Sequence, residues 1–342
     1  MRQTRTLVAL CVALVLVQTD ALGQAKKQKK PEPPPKTETP RSEPAAKPSP
    51  RGAKVRSIFK ETFIYKFGKP VESGVPVEYI ELSQAGKRTL LIKYDDGIAD
   101  ERVLDSYDNA GRKTEELVFD RDSVMTSRTA YKYDPSGRLL EADKYNRNNE
   151  LESRIAYRYD AAGNCVEEIQ YDDEGEVTAK TAHTYAGGKR TETTHFRSNG
   201  SLDTKENFSY DAQGRQVQAV VYDDDGDVRA KKTLEYDGAG NLLAETEFES
   251  DGSVAKRLEY KYDPSGNKIE FARFRSAGRL ESREKYKYDR KNLIETEVFD
   301  SDDMPVTKTT SKYDSNGTLT EEIEHNKLGE PQRLIRYTVR YY

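Results

Sequence analysis

The chain has 342 residues, of which 34% are charged and 35% hydrophobic, with a net charge of -4. Its mean hydropathy of -0.92 is low for a globular protein, yet 22 Tyr and 10 Phe exclude a chain that is disordered throughout, which would be poor in aromatics. The ordered part is therefore expected to bury amphipathic rings rather than a thick aliphatic core.

Residues 1–23 read as a signal peptide. Arg2 and Arg5 precede a short apolar run, Thr6 to Val17, and Ala21-Leu22-Gly23 supplies small residues for cleavage. The run is shorter than the roughly 20 residues a membrane-spanning helix needs, and no Cys follows it to carry a lipid, so no transmembrane or lipid anchor is expected. Cys11 lies inside this segment and Cys165 is the other cysteine. The mature fold therefore has to hold without an internal disulfide. An exported protein results, in the periplasm, at the cell surface or secreted.

Residues 24–55 read as a basic, Pro-rich disordered linker. They hold eight of the 14 prolines and a net charge of +6, a composition that favours extended, solvated chain. It serves as a spacer, or as a contact for an anionic surface such as a wall polymer or lipid headgroups. Taking this +6 and the signal's +1 from the whole-chain -4 leaves -11 on the remainder. That acidity argues against nucleic acid as a partner.

Residues 56–81, with Phe59, Phe63, Tyr65 and Phe67, are expected to form an N-terminal β cap. Residues 82–342 form a repeat array. The unit is clearest as YKYDPSGR at 131–138 and YRYDAAGN at 157–164. Its central tyrosine recurs at Tyr107, Tyr133, Tyr159, Tyr185, Tyr210, Tyr236, Tyr262, Tyr288 and Tyr313, at spacings of 25 or 26. Leu82-Ser83-Gln84-Ala85-Gly86-Lys87-Arg88 is a degenerate first copy. A second aromatic column lies between: Tyr94, Phe119, Tyr145, Tyr171, Phe196, Tyr222, Phe248, Phe274 and Phe299, then His325.

In Asp134-Pro135-Ser136-Gly137 the residue order is that of a type I turn closed by a left-handed residue. Asp caps the turn and Gly takes positive φ. The glycine recurs at Gly86, Gly111, Gly163, Gly214, Gly240, Gly266 and Gly317, with Asn292 standing in for it once. A second turn of similar grammar follows each second-column aromatic, as in Asp172–Gly175 and Asp223–Gly226. The reading is an all-β, antiparallel β-hairpin repeat array of about ten 25–26-residue repeats, two strands each, curled or spiral. Parity places the aromatic columns on the inner face. It sets a basic column (Arg128, Arg154, Lys180, Lys205, Lys231, Arg257, Arg283 and Lys308) outward, with Glu115, Glu141, Glu167, Glu270 and Glu321 following turns.

The unit Y-x-Y-D-x-x-G-[NR] resembles the YD repeat, or RHS repeat, of bacterial Rhs proteins and animal teneurins, over about residues 82–341. The resemblance implies a β-shell. The array here is short, alternates the YD turn with an acidic turn, and leaves no room for a C-terminal toxin after Tyr342, so that role is not carried over.

No nucleophile motif, phosphate loop or zinc spacing is present, so catalytic and metal residues are expected to be none, and ligand-binding residues stay unassigned. Asp223–Asp227 and Asp300–Asp303 are candidates for Ca2+ or plain solvated turns. His183, His195 and His325 read as substitutions in structural columns, and Cys165 as a packing residue. The aromatic columns stack on sugars or fill the sheet's buried face. The expected protein is a monomeric, non-catalytic scaffold or binding module at the bacterial cell envelope, with a polymer, glycan or protein partner and no cofactor. The alternatives are a shell or accessory of an Rhs-like toxin or secretion system, and an enzyme of unknown class. Sequencing the native mature N-terminus should place it near Gln24; an intact Met1 on a cytoplasmic protein would contradict export.

Overall fold

A computed structural model describes residues 54–342; the signal and nearly all of the Pro-rich segment lie outside them. The strands are β1 (Val55–Lys66), β2 (Lys69–Pro70), β3 (Val75–Leu82), β4 (Arg88–Asp95), β5 (Ile98–Tyr107), β6 (Lys113–Phe119), β7 (Met125–Tyr133) and β8 (Leu139–Asn146). They continue as β9 (Leu151–Tyr159), β10 (Cys165–Tyr171), β11 (Val177–Ala186), β12 (Lys189–Arg197), β13 (Leu202–Tyr210), β14 (Gln216–Tyr222), β15 (Val228–Tyr236) and β16 (Leu242–Phe248). The last are β17 (Val254–Tyr262), β18 (Lys268–Arg275), β19 (Leu280–Asp289), β20 (Asn292–Phe299), β21 (Pro305–Tyr313), β22 (Leu319–Asn326) and β23 (Pro331–Tyr341).

From β3 onward each strand pairs antiparallel with the next. The two-residue β2 pairs only with the end of β1. β1 itself pairs on one side with β3, Phe59 opposite Tyr79, and on the other with β23, Phe59 opposite Thr338. The sheet thus curls further than a spiral: it closes into a 22-strand barrel. The segment expected to be a cap supplies the closing strand. At about 4.8 Å per strand the ring is at least about 34 Å across between backbones. Strand contacts of any extent run between chain neighbours, plus β1 with β3 and with β23. The wall is a single layer, and both of its faces are only half covered.

The core is correspondingly thin. Its buried rings are Phe59, Phe63 and Phe119, joined by small residues such as Ala219, Ala244 and Ala272. Most repeat aromatics are half-buried in the wall.

The expected facing of the columns needs correction. Arg128 stands opposite Tyr145 and Arg154 opposite Tyr171, so the basic column shares a face with the second aromatic column. The YD tyrosines and the aromatics two residues before them occupy the other face. The cause is a one-residue register shift at the mouth of each hairpin, as between Lys132 and Tyr133. A slip of one residue turns every later side chain to the opposite face, and parity counted through the turns misses it.

The turns themselves have the expected form. Asp134 N–H donates to Arg138 O at 2.9 Å and Gly137 N–H to Asp134 O at 2.9 Å. Gly137 has φ +85°, a region costly for a side chain with Cβ. The seven other repeat glycines, Gly86, Gly111, Gly163, Gly214, Gly240, Gly266 and Gly317, all have positive φ. Asn292 does not take the glycine's place: the β19–β20 loop is shorter, Asn292 pairs with Asp289, and Arg290 adopts φ +58°. Gly137→Val should lower stability by roughly 1–3 kcal/mol and Ser136→Val by less; equal shifts in thermal midpoint would contradict the turn assignment.

Candidate functional site

The hairpin turns gather into two rims. The YD turns form one, and there each repeat is bonded to the one before it. Asp134 Oδ1 accepts the Arg138 amide at 2.9 Å and Oδ2 accepts Arg138 Nε at 2.6 Å. So anchored, the Arg138 guanidinium lies 4.9 Å from the centroid of the next repeat's Tyr159, in cation–π range. Arg112 over Tyr133 and Arg215 over Tyr236 repeat this at 5.1 and 4.7 Å. The last position of the motif is Arg or Asn because both reach the turn's Asp; Asn164, Asn241 and Asn267 do so through Nδ2.

The tyrosine hydroxyl explains why the column is Tyr rather than Phe. Tyr159 donates to Leu139 O at 2.8 Å, the first strand carbonyl after the preceding YD turn. Tyr107, Tyr133, Tyr185, Tyr210, Tyr236, Tyr288 and Tyr313 make the same bond to Arg88, Lys113, Cys165, Arg190, Gln216, Lys268 and Leu293, at 2.7 to 3.0 Å. The register shift leaves that carbonyl outside the regular ladder, and an unmade backbone bond is costly. Near the seam Tyr342 donates to Leu82 O, on the last residue of β3, at 2.5 Å. Burial pushes the Tyr159 phenol up to about 12, so it stays a donor. Among the described residues, Tyr262 is the one YD tyrosine whose hydroxyl has no partner.

On the face of the basic column, acids and bases alternate around the ring. Glu167 receives Arg158 at 2.7 Å from one neighbouring strand and Lys180 at 2.5 Å from the other. Glu270 receives Lys261 and Arg283 at 2.8 and 3.6 Å, and Glu321 receives Lys312 and Arg336 at 2.8 and 3.5 Å. Glu295 lies between Lys287 and Lys308, and Glu115 bonds Arg128 at 2.6 Å. Gln218 and Ala244 interrupt the acid row. Each exposed pair is worth little alone, but the basic side chains also lie on aromatics, as Arg128 does on Tyr145 at 4.8 Å. Asp143 is the tightest node, its side chain 1% exposed between Arg154 at 2.6 Å and Lys132 at 3.0 Å. Burial pushes its carboxyl up, but the hydrogen bonds from Arg154 and Lys132 outweigh that and hold it below the usual range. Its stabilisation is therefore present above the ordinary carboxylate pKa and lost as pH falls below about 4.

The titratable residues singled out in the sequence do not assemble into a reaction centre. His183 is buried on the tyrosine face, its Nδ1 3.0 Å from Thr193 Oγ1 and its Nε2 3.5 Å from Glu168 Oε1. His195 contacts Thr181 at 3.1 Å, and His325 lies 3.3 Å from Lys308 O. The hydrogen bond from His183, ahead of the charges of Arg190 and His195, holds Glu168 low. Burial pushes the Cys165 thiol up, which keeps it protonated and unreactive. In the acidic turns, Asp223 Oδ1 accepts the amides of Asp225 and Asp227, and Asp300 Oδ1 those of Asp302 and Met304. Asp224 bonds Arg197 and Asp303 bonds Arg283. No cluster of His, Cys, Asp or Glu suited to a metal ion occurs among the described residues. No helix among them is long and apolar enough to cross a membrane.

Open space is found on the YD rim, between neighbouring hairpins. One groove of about 690 Å³ lies between the turns at 237–241 and 263–267. Another of about 460 Å³ lies between those at 289–292 and 314–318. Periodicity could not show these grooves, which depend on how far adjacent hairpins splay.

A family model described only as an uncharacterised protein matches residues 124–205. No curated protein matches the chain. Among solved structures the chain is similar to TcdB2-TccC3, at 14% identity and a TM-score of 0.32, over 80% of this chain and 19% of that one. It is also similar to TcdB2-TccC3-TEV, at 15% identity and a TM-score of 0.27 over 75% and 16%. The chain thus spans less than a fifth of the length of those chains. A porin-like protein from Bacteroides uniformis ATCC 8492 is similar at 11% identity and a TM-score of 0.31, over 85% of this chain and 100% of that one. These likenesses go no further than antiparallel β-sheet.

Tyr133→Phe should cost about 0.5–1.5 kcal/mol by orphaning Lys113 O, whereas Tyr262→Phe should leave the thermal midpoint unchanged. Equal effects in the two variants would contradict the hydroxyl ladder.

Proposed function

We propose that the chain is an exported, non-catalytic β-ring that serves as a scaffold or binding module at the bacterial cell envelope, a short and self-closed relative of YD-repeat shells. One observation carries the reading: most of the wall's charged side chains are engaged with one another, while grooves between neighbouring YD turns are left open. An enzyme would keep a base, a nucleophile or a set of donors aimed at an open space. Here the buried histidine, the thiol and the sealed aspartate all face partners within the wall.

A lipid-embedded barrel needs an apolar outer band. Charges stand at mid-strand on both faces, Lys144, Glu168, Lys232 and Glu245 on one, Glu115, Arg128, Asp143 and Arg154 on the other. The ring is accordingly assigned to water, with solvent inside and out. A shell or accessory role in an Rhs-like toxin or secretion system rests on the hollow, closed wall; toxin and immunity genes beside this one would favour it, envelope genes the scaffold.

The test is capture by the purified mature chain from cell-wall, glycan and envelope-protein fractions. Saturable retention of an envelope component is expected. Failure to retain any of them, from a chain whose ring is intact, would contradict the binding reading.

A further inference from the structure

The groove between the 237–241 and 263–267 turns brings three features together. Tyr262 at its base is the tyrosine whose hydroxyl is unbonded. Leu243 and Ile269 along it are 39% and 37% exposed, beside the ring of Tyr260. The turn acids at its two sides, Asp237 and Asp263, are bonded to Asn241 and Asn267 at 2.8 and 2.9 Å, where Asp108, Asp134 and Asp211 hold arginines. Those amide bonds keep both carboxyls low and ionised. Lys261 at the edge is already joined to Glu270 at 2.8 Å. Arg215 Nη1 donates to the main-chain oxygen of Asp237 at 3.1 Å, but neither carboxylate has an ion-pair partner among the described residues. The groove thus offers aromatic and aliphatic surface, a free hydroxyl donor and two carboxylates without an ion pair.

The chemistry that fits is a proline-rich segment carrying Lys or Arg. Polyproline II chain presents flat rings to aromatic grooves and unbonded carbonyls to hydroxyl donors, and flanking cations meet acids. The chain carries such a segment itself: Pro31, Pro33, Pro34, Pro35 and Pro40, with Lys36 and Arg41. The described residues begin on the same rim, where Lys54 O accepts the Tyr342 amide at 3.0 Å and Lys54 Nζ donates to Gln84 O at 2.8 Å. The groove lies seven to eight strands round the ring from β1, a chord of about 29 Å. The 14 residue steps from Pro40 to Lys54 span about 43 Å at polyproline II rise, so the segment reaches. The charges also match, +6 on residues 24–55 against -11 on the rest of the mature chain.

We infer that residues 31–41 dock in the Tyr260–Tyr262 groove of their own ring, prolines on the exposed aromatic and aliphatic surface and Lys36 and Arg41 toward Asp237 and Asp263. This goes beyond the scaffold reading: while docked, the basic arm is withheld from any anionic surface and occupies a groove a partner would use.

The full mature chain is used for the test, at low concentration, with a carbodiimide that joins lysine directly to carboxylate, followed by mass spectrometry. Links from Lys36 to Asp237 or Asp263 are expected. Tryptic cleavage after Lys36 and Arg41 should be about tenfold slower than in the Asp237→Asn, Asp263→Asn double variant, as a bound segment is cut only when released. Asparagine keeps the turn-capping acceptor, and an unchanged thermal midpoint shows that the variant folds. Three results would overturn the inference: equal cleavage rates, links spread evenly to Asp160 and Asp314, or links that form only between isotopically light and heavy chains.

Discussion

A β-meander always leaves two strands with one unpaired side, and every other property of this protein follows from how that is resolved. An open edge of 8 or 11 residues, the lengths of β3 and β23, exposes a row of amides and carbonyls that will pair with any other edge. Here the edge of β3 and the edge of β23 are both taken by β1, in antiparallel register over most of its length. Closure lets a single-layer wall stand with almost no interior. No face of the sheet is packed against a second layer, so burial contributes less per residue than in a sandwich. Strand pairing, the hydroxyl ladder and the alternating charges make up the difference.

The tyrosine hydroxyls bind the repeats to one another at the point where each hairpin departs from regular pairing. The register shift that opens the ladder also increases local twist, and twist summed over many strands is what brings β23 round to β1. The motif thus has one physical logic from end to end: Asp and Gly make the turn, the turn shifts the register, and the Tyr closes the gap the shift leaves. Arg112, Arg138 and Arg215 hold the turn Asp and cover the next ring at once.

What was legible in the sequence was local. The turn at Asp134–Gly137 could be read because its residues act within five positions of one another. The strands between turns followed from spacing. Facing was not legible, because a single shifted residue at Tyr133 reverses parity and leaves no mark in composition. Closure was not legible either: Phe59 and Phe63 carry no repeat signature, and their pairing with Thr338 and Leu334 spans nearly the whole chain. Asp143 and Tyr262 look like ordinary members of their columns; only the surroundings distinguish a sealed acid from an exposed one and a free hydroxyl from a bonded one.

Closure by β1 is tested most directly by hydrogen exchange on the intact mature protein, resolved by strand. Amides of Phe59–Thr62 in β1 and of Leu334–Arg336 in β23 should exchange as slowly as those in the middle of β7 and β8, since all are paired on both sides. Exchange about a hundredfold faster at β1 and β23 than at β7 and β8 would show two free edges and an open sheet.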